Sequence, residues 1–506
     1  VTREQKKDSG PPVLEQAFFD TAPEQDQRAV VGRTLALKRL FRRMAPIMGL
    51  GGAGVLLVVF AYAGPWPATR ADVPAFVDAA RASGAALGRE LGGAAPGPLR
   101  GSAGVFDMTP NPPYFIRLAG YPSQLRRSNV SEGKLLAWSW VVQAGSGPAC
   151  AVMGADILML TPALAHAVAT EVDAMAHIPR DRVLFTASHT HSSVGGYGRT
   201  LAESYVLGAN EESIDQISMR WAPTAWSAAE NVRPAVIRAG QAHAAQLIHN
   251  RTEPGAPADP TVDVLQLDVD GEEPALLVLF GAHPTSQSHM ETMSPDYPGP
   301  MRRIVSEHVG AFVSFAAGAV GSMGVKTVIG ERTPETVGAL LATPVMNAMR
   351  PRSRREEVKS MDARVACGRA HLPLPVPRVP VVGTLALTER ASARLLEPPH
   401  AMTVSALVAG PVLLVSLPGE LSGELSGALR TLARGKGYAL ALASFSGEYA
   451  GYLLPAERFG KGPERSTQLS GIGAGAPAVA FIEGLIGSLP QGPLPPETEL
   501  EHVWPR

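Results

Sequence analysis

The stretch "FTASHTHSSVGGYG", residues 185–198, follows "DRVLF", an apolar run that reads as a buried strand. Open α/β sheets place their sites beyond strand ends, so what stands where strands stop bears on both fold and chemistry. Side chains at i and i+2 of a strand share a face, which puts His189 and His191 on one side of this strand's end. Two imidazoles there are metal ligands, an acid/base pair, or hydrogen-bonded structural residues. A lone histidine at a strand end is more often structural, and the stretch by itself leaves all three readings open.

Working outward, short strands alternate with helices from Gly101 onward. "LLAWSWVVQ", "ACAVMGADILML", "TVDVLQLDVD", "ALLVLFGA", "AFVSFAAGA", "PVLLVSLPGE" and "YALALASFSG" read as strands, the third alternating with period two. "ALAHAVATEVDAM", "PGPMRRIVSEHV" and "LSGELSGALRTLARGKG" read as helices. The predicted fold class is mixed α/β (α+β), a single large layered domain over 101–490, followed by a tail at 491–506.

Before that domain lie three other segments. Residues 1–43 are polar and charged and read as a mostly disordered tail. Residues 44–63, "MAPIMGLGGAGVLLVVFAYA", carry no charge over about 20 positions, the length of a membrane-spanning helix. Lys38, Arg39, Arg42 and Arg43 precede it, so the expectation is a transmembrane helix with the tail cytoplasmic. A buried core helix and a cleaved signal ending near Ala61-Tyr62-Ala63 are the alternatives. Residues 64–100 read as a juxtamembrane helix and a linker, "GGAAPGPLRG".

The 506 residues sum to a net charge of −1, with no basic run interleaved with aromatics, so nucleic acid is not an expected partner. Neither Cys150 nor Cys367 belongs to a CxxC, which argues against a thiolate zinc site. Either they form a disulfide outside the cytoplasm or they are two buried free thiols.

Other polar groups also follow apolar runs: His283 after "ALLVLFGA", Asp296 in "SPDYPG", Glu420 in "LPGE", and Tyr449 and Tyr452 in "GEYAGY". Two histidines and a glutamate are a common ligand set for a catalytic zinc. The tyrosines on their own read as packing. His166, His177, His243 and His308 fall in helical or surface contexts and take no role.

The order of these pieces resembles the catalytic domain of the neutral/alkaline (non-lysosomal) ceramidase family. The pieces are "GVFDMTP" (104–110), "GADILML" (154–160), "SHTHSSVGGY" (188–197), "HNRT" (249–252), "GAHPTS" (281–286), "SPDYPG" (294–299), "LPGELSGELSG" (417–427) and "GEYAGYLLPAERF" (447–459). Ser193-Val194 stand where that family has Gly-Pro, and "AAGAVGSMGV" lacks its acid or amide and its proline, with Ser322 the nearest polar group. The resemblance implies a zinc-dependent amidase hydrolysing the N-acyl bond of ceramide or a related lipid amide. It implies that His189, His283, Glu420 and Tyr452 hold Zn2+, that His191 carries the proton, and that Arg251 helps hold the carbonyl oxygen. With the N-terminal segment, the expected place is a bacterial inner membrane, single-pass, with the catalytic domain extracytoplasmic. A metal hydrolase of another amide or ester, and a degenerate binding or envelope protein, are the alternatives.

Overall fold

The computed structural model describes residues 60–494 apart from 68–72, 111–115, 122–125, 288–290, 327–331, 383–384, 399–400 and 464. Most of the expected membrane segment, 44–59, lies outside the described residues. No helix among the described residues is long and apolar enough to cross a membrane. The chain divides at Gly64, and the fold below is that of Pro65–Arg506.

Twelve strands form one branched, mixed sheet: β1 (Pro96–Asp107), β2 (Leu136–Ala144), β3 (Cys150–Ala155), β4 (Val183–Ala187), β5 (Arg233–His243), β6 (Thr261–Val269), β7 (Ala275–Phe280), β8 (Phe312–Ala317), β9 (Asp362–His371), β10 (Thr403–Ala409), β11 (Val412–Leu417) and β12 (Ala439–Ser444). The main path runs β8-β7-β6-β5-β1-β9-β10-β11-β12, and β2-β3-β4 branch from β1. Residues 96–100, expected to be linker, are instead the start of β1. Pro96–Pro98 pair with β9, Arg100–Gly101 with β5, and Leu99–Asp107 with β2. A Gly- and Pro-rich run looks like a linker locally, but here the glycines permit close approach. A Cβ on Gly104 would sit 2.2 Å from the Thr224 carbonyl oxygen of the helix above.

The branch folds over the main path, giving helix, sheet, sheet, helix layers. Alternation along β2 makes this geometry possible. Ala137 and Val141 face α2 (Pro162–Ala176) and α4 (Ser213–Glu230), while Trp138, Trp140 and Val142 enter the core between the two β layers. The opposite layer is covered by α5 (Pro298–Val309) and α6 (Pro334–Ala348) over β5–β8, and by α1 (Val73–Gly92), α8 (Ser426–Gly435) and α9 (Gly475–Ser488) over β9–β12. Two smaller helices, α3 (Leu201–Leu207) and α7 (Glu389–Leu396), lie outside these layers.

Within this sheet three strand pairs are parallel: β3–β4, β7–β8 and β11–β12. Each is joined by a helix, respectively α2, α5 and α8, as parallel strands require a crossover. The carboxyl ends of these six strands supply nearly all the candidate site described below.

Cys150 of β3 and Cys367 of β9 are joined as a disulfide across the two β layers, spanning 217 residues. Both are buried in the inter-sheet core. The paired alternative is therefore the one the fold adopts. Replacing both cysteines with alanine should cost about 2–5 kcal/mol, because the bond restricts a long loop of the unfolded chain. Urea denaturation measures this, and an unchanged midpoint would show that the cross-link does not contribute.

Candidate active site

His189 does not continue its strand. β4 stops at Ala187, and His189 adopts φ 65°, a left-handed conformation uncommon outside glycine. The expected strand face shared by i and i+2 is therefore replaced by a turn. The turn still brings the rings of His189 and His191 together, edge to face, with centroids 4.8 Å apart. Phe445, just after β12, is also in the left-handed region at φ 74°, and it stacks on the His189 ring at 4.5 Å.

Each of the three histidines is oriented by a backbone carbonyl. His189 Nδ1 lies 2.7 Å from Leu158 O, His191 Nδ1 2.8 Å from Gly120 O, and His283 Nδ1 2.8 Å from Met323 O. A carbonyl only accepts, so each Nδ1 carries the proton and each Nε2 presents a lone pair. Ring nitrogens of the three lie within 4.8 Å of one another, a group that could hold a metal ion.

Glu420 and Tyr452 arrive on two short parallel strands in direct register. Glu420 Oε1 accepts from the Tyr449 hydroxyl at 2.6 Å. Its Oε2 is buried without a well-formed hydrogen bond, 3.0 Å from His283 Nε2 and 3.8 Å from His189 Nε2. Tyr452 Oη is 3.2 Å from His283 Nε2. Arg251 Nη2 donates to His283 Nε2 at 2.5 Å and to Tyr452 Oη at 2.9 Å.

Burial pushes the Glu420 carboxyl up, but the positive charge that His189 and His283 carry when protonated, together with the Tyr449 hydroxyl, outweighs it and brings it down to about 2. Burial and then Arg251 push His283 down to about 3. Burial likewise lowers His189 and His191. At neutral pH the site thus holds one carboxylate and three neutral imidazoles, the protonation states that metal binding needs.

The donor set fits a cation. A tetrahedral ion with bonds of about 2.0–2.1 Å separates its ligand atoms by roughly 3.3 Å. The contacts of Glu420 with the two histidines, 3.0 and 3.8 Å, and of Tyr452 with His283, 3.2 Å, bracket that spacing, and His283 and Tyr452 already face a positive group, Arg251.

All six residues singled out in the sequence, His189, His191, Arg251, His283, Glu420 and Tyr452, meet here. Asp296 does not join them. Its carboxylate accepts from the Gln287 and Tyr297 backbone N–H groups and braces the loop after His283. Ser322 does not point into the cluster either. Its hydroxyl bonds Ser422 at 2.6 Å, while its carbonyl takes the Arg251 N–H and the next carbonyl, of Met323, orients His283. The altered "AAGAVGSMGV" segment therefore contributes backbone rather than side chain.

Tyr449, read as packing from its context, instead orients the Glu420 carboxylate. Arg126 carried no signal at all. It is buried and donates to the carbonyls of Ala119 (3.1 Å) and His191 (3.0 Å), clamping the His191 loop against the Ala119 segment. Tyr121 packs beside it, 5.1 Å from the His191 ring.

Fold and site together define a layered α/β protein with a buried imidazole–carboxylate–phenol cluster at the ends of three parallel strand pairs. The fold is that of the neutral ceramidases. The chain superposes on neutral ceramidase from Pseudomonas aeruginosa with a TM-score of 0.66 and 17% identity, covering 79% of this chain and 76% of that one. It superposes on a ceramidase complexed with C2 with a TM-score of 0.64 and 16% identity, covering 80% and 78%. The sequence matches no protein-family model and no curated protein.

Proposed function

We propose that this protein is a zinc-dependent amidohydrolase that cleaves the N-acyl bond of ceramide or a similar lipid amide. The observation that carries the proposal is the buried Glu420 carboxylate, with one oxygen held by Tyr449 and the other turned toward His189 and His283. The shared fold with neutral ceramidases supports the substrate class.

In this reading His189, His283, Glu420 and Tyr452 hold the ion. Bound there, zinc supplies Lewis-acid polarisation of the amide carbonyl and a water of lowered pKa. Arg251, beside Tyr452, donates to the carbonyl oxygen as negative charge develops on it. His191 takes the proton from the attacking water at Nε2 and returns it to the departing nitrogen, which leaves poorly unless protonated. Its Nδ1–H bond to Gly120 keeps the tautomer that this role requires. The C–O bond forms, the C–N bond breaks, and the products are a fatty acid and an amine.

We place the enzyme at a bacterial inner membrane, anchored by residues 44–63, with the catalytic unit on the oxidising side. The basic residues before that stretch and the Cys150–Cys367 disulfide support this placement.

The test is incubation of the purified full chain with fluorescent N-acyl sphingosine and with simple N-acyl amines, with and without a chelator. Release of the fatty acid, lost on chelation and restored by zinc, is the expected result. Zinc-loaded protein that cleaves neither class overturns the proposal.

A further inference from the structure

Outside the site, exposed apolar side chains gather on one corner of the fold. A three-stranded sheet there pairs Trp66–Pro67 with Leu385–Ala386, and these with Pro380–Val382. Helix α7 follows it and packs beside α3. On these neighbouring pieces Leu201 is 67% exposed, Tyr205 56%, Val381 52% and Leu395 38%, far more than a folded core would leave to water. Leu201 and Tyr205 are four apart and share one face of α3. A crevice of about 150 Å³, lined by Val376, Ala386, Phe76, Phe459 and Ile472, opens beside this sheet.

Exposed apolar clusters of this kind mark an interaction surface, and chain continuity identifies the occupant. The strand Trp66–Pro67, one edge of this sheet, comes directly after the uncharged stretch 44–63 and its basic flank. A chain leaving a bilayer at residue 63 enters the fold at this corner.

We infer that the corner formed by α3, α7 and the strands Pro380–Val382 and Leu385–Ala386 docks on a lipid bilayer, with Leu201, Tyr205, Val381 and Leu395 seated among the headgroups and upper acyl chains. Amphipathic helices lie in that interface by burying one apolar face. The inference rests on the sequence of 44–63 and the exposed corner, and not on the hydrolytic chemistry.

The test uses the full chain. Its two cysteines are already paired, so one added cysteine labels a single position. Leu395→Cys and Leu201→Cys carry an environment-sensitive fluorophore, and so does Met219→Cys, 71% exposed on α4, as the control. Each is reconstituted in phosphatidylcholine–phosphatidylglycerol vesicles with or without doxyl-labelled lipid. Blue-shifted emission with severalfold quenching by doxyl lipid at 395 and 201, and neither at 219, is the expected result. Aqueous emission at 395 and 201, or equal quenching at 219, overturns the inference. So does a blue shift that tracks protein concentration and ignores doxyl lipid, which would assign the corner to a second copy of the chain. Catalytic activity enters none of these readouts.

Discussion

Substitution of His283 by alanine is expected to empty the metal site and lower kcat/KM on a lipid amide by at least roughly a thousandfold, about 4 kcal/mol of transition-state stabilisation. His283 is the hub of the cluster. Its Nε2 faces Glu420 Oε2, Tyr452 Oη and Arg251, while its Nδ1 is held by Met323 O. Removing the ring takes away one ligand and also leaves Tyr452 without its imidazole neighbour. It strands the Met323 carbonyl as well, at a cost of about 1–3 kcal/mol. Elemental analysis, circular dichroism and hydrolysis on the same sample separate the effects. A folded variant that retains one equivalent of zinc, or near-normal turnover, would end the assignment of this cluster as a metal site.

His191→Ala is expected to behave differently: zinc retained, kcat reduced by about 10²–10⁴-fold. Two ligand sets compete here. One is the three histidines, whose ring nitrogens lie within 4.8 Å of one another. The other replaces His191 with Glu420 and Tyr452. The second set is the better one because it satisfies the buried Glu420 Oε2, which has no other well-formed partner. It also leaves His191, the only partly exposed residue of the three, free to act on a bound molecule. A neutral imidazole in that place, with its Nδ1–H fixed by Gly120, is suited to moving protons. Loss of zinc from His191→Ala would instead make it a ligand and would transfer the proton-carrying role to another group.

Much of the layered fold was legible in the chain. The apolar runs at 136–144, 150–155, 183–187, 275–280, 312–317, 412–417 and 439–444 are strands because each is buried on both faces, and such strands read as continuous hydrophobic runs, whereas 261–269 was legible by its period-two alternation. β1 was not legible. Its Gly and Pro content suits a linker, and only its pairing with β2, β5 and β9 makes it a strand. Helices α4 and α6 contain internal prolines, Pro223 and Pro344, which obscure the periodic signal.

At the site the difference is sharper. The side chains that could face an ion, His189, His283, Glu420 and Tyr452, are recognisable as residue types set where apolar strands stop. The groups that aim them are not. Leu158, Gly120 and Met323 act through carbonyl oxygens, and every residue has one. Phe445 serves through a left-handed backbone conformation beneath His189. Tyr449 and Arg126 work through contacts that reach segments 29 and 65 residues away.

What the sequence determined on its own is the chemistry available: imidazoles, a carboxylate and a phenol at strand ends, and an uncharged stretch ahead of them. Periodicity and residue type are local properties, so they survive in a one-dimensional reading. Only the tertiary structure decided that these groups form one buried cluster, which Nε2 lone pairs converge, and where the exposed apolar corner lies. Those are distances between residues far apart in sequence, set by how three parallel strand pairs pack, and no local pattern encodes them.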